Sequence, residues 1–158
     1  MIKSYIQILQ DSLVKKLELL TRIEEKSLEQ SMMLKSRDVD LTLVDFNMDE
    51  KAALIDEVLS LDDGFEVLYE KIKVHLVPNK EQYKNEIKVL QGLIEKVTEK
   101  NASIQAIEAR NKAEMEVVFN NQKKGLQGKK NAMSVAKNYY QNMNKVNHVS
   151  PQFLDRKK

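Results

Sequence analysis

Residues 80–124 read KEQYKNEIKVLQGLIEKVTEKNASIQAIEARNKAEMEVVFNNQKK, with no proline and a single glycine, Gly92. Apolar residues recur along this stretch at alternating steps of three and four: Tyr83, Ile87, Leu90, Ile94 and Val97, then Ile104, Ile107, Met115 and Val118. That spacing places them on one stripe of a helix. Lys, Glu, Gln and Asn fill the other faces and tolerate a helix in water. At 1.5 Å per residue the helix would run roughly 65 Å. A helix of that length is a spine against which shorter helices lie.

Two further stripes flank it. Residues 2–36 carry Ile2, Ile6, Leu9, Leu13, Leu17, Leu20 and Ile23, followed by Leu28, Met32 and Leu34, and predict a first helix. The stripe weakens after Ile23, where Ser27 and Ser31 sit near the seam. Residues 48–76 carry Leu54, Val58, Leu61, Phe65, Leu68 and Ile72, the cleanest heptad of the chain. It passes Gly64 without losing phase and predicts one continuous helix. Asn47 and Glu50 fit a capping pair at its start. Val77-Pro78-Asn79 breaks the chain, because proline disfavours helix for the residue before it. Asn79 and Gln82 are placed to cap the long helix. So short a loop makes the flanking helices antiparallel neighbours. The expected fold is all-α: an elongated antiparallel three-helix bundle or coiled coil over residues 1–124. Residues 125–158 form a basic, partly flexible C-terminal tail or a short fourth helix.

Composition agrees. The 158 residues include four Gly, two Pro and no Cys or Trp, a profile poor in the turns that a many-stranded sheet needs. Without Cys there is no disulfide, thiolate nucleophile or zinc-thiolate site. The N-terminus opens directly into amphipathic sequence without the pattern of a signal peptide. No apolar run approaches the ~20 residues of a membrane span. The expectation is a cytoplasmic protein without membrane insertion.

The net charge of +2 conceals opposite blocks. Residues 37–70 hold eleven acids against two bases, a net of −9, and residues 120–158 hold nine bases against one acid, a net of +8. Such blocks point to mutual docking, in cis or in a homodimer, or to a partner for the basic segment.

Chemistry-bearing motifs fail on inspection. Asp38-x-Asp40-x-Thr42 mimics the opening of a calcium loop, but Leu43 stands where glycine is required and Asp49 where Glu closes the loop. Residues 123–130, KKGLQGKK, echo a phosphate loop with the wrong glycine spacing and no Ser or Thr after the lysine. His75 and His148 have no ligand partner at helical spacing. Pairs such as Asp56-Glu57 and Asp62-Asp63 read as a solvated face. No enzyme, cofactor, metal or small-molecule substrate is expected. Lys123, Lys124, Lys129, Lys130 and Lys137 beside Tyr139 and Tyr140 could meet nucleic acid, but no base-reading motif accompanies them, and nucleic acid is not the expected partner.

The C-terminal region carries the functional reading. Val118, Phe119, Leu126, Val135, Tyr139, Tyr140, Met143, Phe153 and Leu154 form a spaced apolar strip. Its stretch Val135, Tyr139 and Met143 is too brief and too Asn-rich to be helical alone, and the strip as a whole suits a helical partner.

Three long helices with an acidic second member resemble the FlgN-type flagellar export chaperones of Gram-positive bacteria, with the sibling FliT-type close behind. The likeness spans nearly the whole chain. It rests on Glu50-Lys51-Ala52-Ala53-Leu54-Ile55 and on residues 153–158, Phe-Leu-Asp-Arg-Lys-Lys. The resemblance implies a non-enzymatic cytoplasmic protein that keeps hook–filament junction subunits, or related axial proteins, soluble and delivers them to the flagellar export apparatus. It places client binding at the end of the long helix and in the tail. The rival reading is a structural coiled-coil adaptor with a constitutive partner.

Overall fold

The computed structural model describes residues 1–121 and 126–146, with side chains for all but 126–133. Four helices follow one another: α1 (Ile2–Leu34), α2 (Leu41–Leu76), α3 (Lys84–Asn121) and α4 (Leu126–Lys145). No strand occurs among the described residues. The all-α bundle expected from the three stripes is what forms, and the short fourth helix joins it.

α1 packs against both α2 and α3, and α4 packs against α2. The core falls into two clusters along the axis. The first brings Ile6, Leu9 and Leu13 of α1 against Phe65, Tyr69, Ile72 and Leu76 of α2 and Tyr83, Ile87 and Leu90 at the start of α3. Here the bundle is three helices thick. The second gathers Leu19, Leu20 and Ile23, Val44 to Val58 of α2, Val97 to Phe119 of α3, and Ala136, Tyr139, Met143 and Val146 from the α4 region. Here it is four helices thick. An isolated 20-residue helix rich in Asn is marginal in water. α4 is helical because these four side chains are at most 7% exposed.

Boundaries move for local reasons. α2 begins seven residues before the expected start, because Asp40 and not Asn47 caps it. Asp40 Oδ1 accepts from the backbone N–H of Thr42 at 3.0 Å and of Leu43 at 3.4 Å. Burial of Val44 and Met48 outweighs the modest helix propensity of Thr42 and Val44. Asn47 lies inside α2, buried, and donates to the Lys26 carbonyl across to α1. Asn79 does not cap α3 either. Its amide donates at 2.7 Å to the His75 carbonyl and so satisfies the end of α2, while turns carry the chain to Lys84. Gly64 sits within an unbroken α2.

The core face also shifts within helices. Asp62 and Tyr69 are buried where the heptad named Leu61 and Leu68, which are only partly buried. Beyond Ile23 the buried face of α1 runs through Ser27, Gln30 and Leu34, while Leu28 and Met32 are exposed. At two of these positions the origin is a partner across the bundle: Asp62 meets Lys16 of α1, and Gln30 meets Lys51 of α2.

Candidate functional site

Two polar layers cross the core. The deeper one draws a residue from every helix. Lys51 Nζ lies 3.0 Å from both carboxylate oxygens of Glu108 and also donates to Gln30 Oε1. Asn111 Nδ2 donates to the Ser27 carbonyl at 2.8 Å, with Gln30 Oε1 and Glu108 Oε1 each at 3.4 Å. The Tyr139 ring covers the Lys51 ammonium at 4.7 Å from its centroid, a cation–π contact that ties α4 to α2. Lys51 and Tyr139 are fully buried. Burial pulls the Lys51 ammonium below its ordinary pKa against the pull of Glu108. Burial likewise pushes the Tyr139 hydroxyl well up, and the Glu108 carboxylate adds to this. A charge pair shut from solvent in this way can fix register and helix order.

The second layer separates the two core clusters. Lys16 Nζ and Asp62 Oδ1 pair at 2.7 Å, each side chain 7% exposed. The solvated face expected for Asp62-Asp63 is therefore wrong at Asp62. The residue turns inward because Lys16, on the facing turn of α1, meets it.

The surface that suits a partner lies between α3 and α4. Those helices meet through long side chains, with Tyr140 Oη 3.8 Å from Met115 Sδ and Lys112 Nζ 5.7 Å from the Tyr140 ring centroid. Between them runs an open groove of about 360 Å³. Met115, Phe119, Ala136 and Tyr140 form its apolar walls, and Lys112, Glu116, Lys137, Gln141 and Asn144 line its polar edge. The positions 112, 115, 116 and 119 on α3, and 136, 137, 140, 141 and 144 on α4, each occupy one helical face. Two helical faces thus spread apart over apolar walls. Burial raises the Tyr140 hydroxyl pKa, and the neighbouring Glu108 adds to it.

The residues expected to bind a partner fare differently. Phe119 and Tyr140 line this groove. Val118 and Val135 are partly buried against the core beside it. Tyr139 and Met143 belong to the core itself, so they hold α4 in place and present no surface while it is docked. Leu126 begins α4, but its side chain lies outside the described residues, as do Phe153 and Leu154 entirely. Tyr139 is also closed to any base that would stack on it. The strip expected from the sequence did not include Lys112, Ala136, Lys137, Gln141 and Asn144. Their signal was present as i, i+3, i+4 and i+7 spacing around Met115 and Tyr140.

Among the described residues no helix is long and apolar enough to cross a membrane, and no group of three or more His, Asp or Glu is placed to hold a metal ion. Comparison with known proteins gives no matching family model, no similar curated protein and no similar solved structure.

Proposed function

We propose that this chain is a cytoplasmic export chaperone of the FlgN type. In this reading the α3–α4 groove holds a helical segment of an exported flagellar hook-junction subunit, keeps it soluble and passes it to the export apparatus. The observation that carries the reading is the groove itself. It lies at the end of the long helix and on the C-terminal helix, the part that the family resemblance assigns to the client. Its walls supply a large aromatic anchor in Tyr140 beside Met115 and Phe119, the kind of residue that dominates interface energetics. Methionine adapts to irregular partner surfaces. Lys112, Glu116 and Lys137 all line the edge, so both signs of charge are on hand to set a client's register.

The test is co-expression of a junction subunit from the same organism with and without this chain. The expected result is a soluble client whose yield depends on the chain, with a complex that survives gel filtration. The adaptor reading predicts equal client solubility in both cultures. Either that outcome or the absence of a complex overturns the chaperone proposal.

A further inference from the structure

A second opening lies where α4 stops. Val146, just past α4, lines a cleft of about 280 Å³ whose other walls are Leu13 and Lys16 of α1, Asp62 and Phe65 of α2, and Ile94, Val97, Asn101 and Gln105 of α3. None of these residues lines the α3–α4 groove, so the cleft's chemistry is independent of the proposed function.

Three polar atoms on these walls have no hydrogen-bond partner, although each is sealed from solvent: Asp62 Oδ2, Asn101 Oδ1 and Gln105 Nε2. Asp62 is 5% exposed and Asn101 8%. A buried polar group without a partner costs on the order of 1–3 kcal/mol, more when charged. Three around one cleft are an unusual concentration. Two of them are acceptors, so the missing occupant brings donors. Lys16 already occupies the other oxygen of Asp62. Burial disfavours the Asp62 carboxylate, and Asp63 and Glu66 add to this against the pull of Lys16, so a second cationic donor at Oδ2 stabilises its charge. Leu13, Phe65, Ile94 and Val97 make the rest of the wall apolar, which suits an aliphatic stem.

We propose that the cleft at the end of α4 binds an alkyl guanidinium or alkyl ammonium group, its stem against Leu13, Phe65 and Val97 and its N–H donors on Asp62 Oδ2 and Asn101 Oδ1. An arginine or lysine side chain of a partner protein and a free small amine offer the same chemistry. A guanidinium fits best, since its planar fork can serve two acceptors at once.

The experiment is an NMR titration of the full-length chain at constant ionic strength. Three probes are used: n-butylguanidinium, n-butanol, and a blocked helical peptide with one central arginine. The expected result is saturable movement of the Asn101 and Gln105 side-chain amide signals with n-butylguanidinium and none with butanol. Asp62→Asn keeps an acceptor for Lys16 but sets N–H groups where Oδ2 stood, and it weakens binding at least tenfold. Asn101→Leu does the same without touching the ion pair, which covers the case in which the Asp62 variant fails to fold. Peptide binding ten times tighter than n-butylguanidinium identifies a protein side chain as the source; equal or weaker binding identifies a free amine. Shifts that never saturate, an equal response to butanol, or unchanged affinity in a folded variant mean that ordered water alone serves these atoms, and the proposal is overturned.

Discussion

Replacing Lys51 by methionine removes the cation at the centre of the deeper polar layer while keeping a side chain of similar length. Two full charges 3.0 Å apart attract by roughly 5 kcal/mol at an effective dielectric of about 20, and burying them costs several kcal/mol per ion. The two terms nearly cancel, so the pair adds little over an apolar core. Removing one partner does not cancel. Lys51→Met leaves Glu108 charged at 3% exposure and takes a donor from Gln30. Stranding a buried charge costs about 3–5 kcal/mol. At roughly 2–4 °C per kcal/mol for a chain of this size, the melting temperature should fall by about 6–20 °C. Adding Glu108→Leu removes the stranded carboxylate, and the double variant should recover most of the loss, with a coupling energy of at least about 4 kcal/mol because each single variant strands one charge. Urea and thermal unfolding of the four members of this cycle measure it. Because the Lys51 ammonium also lies under Tyr139, α4 amides should lose more hydrogen-exchange protection than those of α1 in the single variant. Single variants that each cost less than about 1 kcal/mol, or a double variant that costs the sum of both, would refute the reasoning.

Other perturbations give smaller, separable effects. A Cβ at Gly64 meets nothing within 4 Å, so Gly64→Ala should stabilise the chain by about 0.5–1 kcal/mol through helix propensity; a lower urea midpoint contradicts an unbroken α2. Asp40→Ala removes the acceptor for two N–H groups and should cost about 1 kcal/mol, with exchange protection lost first in residues 41–44. Burial, with Glu70 adding to it, pushes the Tyr69 hydroxyl up to about 12 from an ordinary value of 10.0. The folded state thus holds this proton more tightly than the unfolded chain. The stabilisation is full below pH 10 and is lost as pH rises from 10 to 12. Relative to Tyr69→Phe, the wild type should lose stability across that window; parallel curves for the two proteins exclude the burial of this hydroxyl.

The helices were legible because apolar residues at steps of three and four survive any detail of packing. The long helix is the clearest case. Of its stripe, Tyr83, Ile87, Leu90, Val97, Ile104, Ile107 and Met115 are buried, and Ile94 and Val118 partly so. What the stripe could not display is a polar residue on the seam whose partner is distant in sequence. Lys51 stands three residues before Leu54, and Glu108 four after Ile104, both in phase with the core. Read singly, each resembles solvated charge; only their separation of 57 residues closed by the fold makes them a pair. Asp62 and Lys16 repeat the lesson. α4 was half-legible for the same reason. Its apolar residues were visible, but Tyr139 is held by a cation on another helix, and no local propensity reports that. Of the strip expected to bind a partner, Phe119 and Tyr140 reach the groove, whereas Tyr139 and Met143 are spent on holding α4.

The central claim is that the α3–α4 groove receives a client helix. Calorimetric titration of the full-length chain with a purified hook-junction subunit tests it most directly, run beside Tyr140→Ala and the edge variant Lys137→Glu/Gln141→Glu, whose two side chains are exposed. A client helix seated in the groove predicts saturable binding by the wild type and a loss of roughly 2 kcal/mol, about thirtyfold in Kd, for Tyr140→Ala. The edge variant should form a weaker, salt-dependent complex at an unchanged melting temperature. Equal affinity in all three proteins, or no heat of binding from the wild type at all, would contradict it.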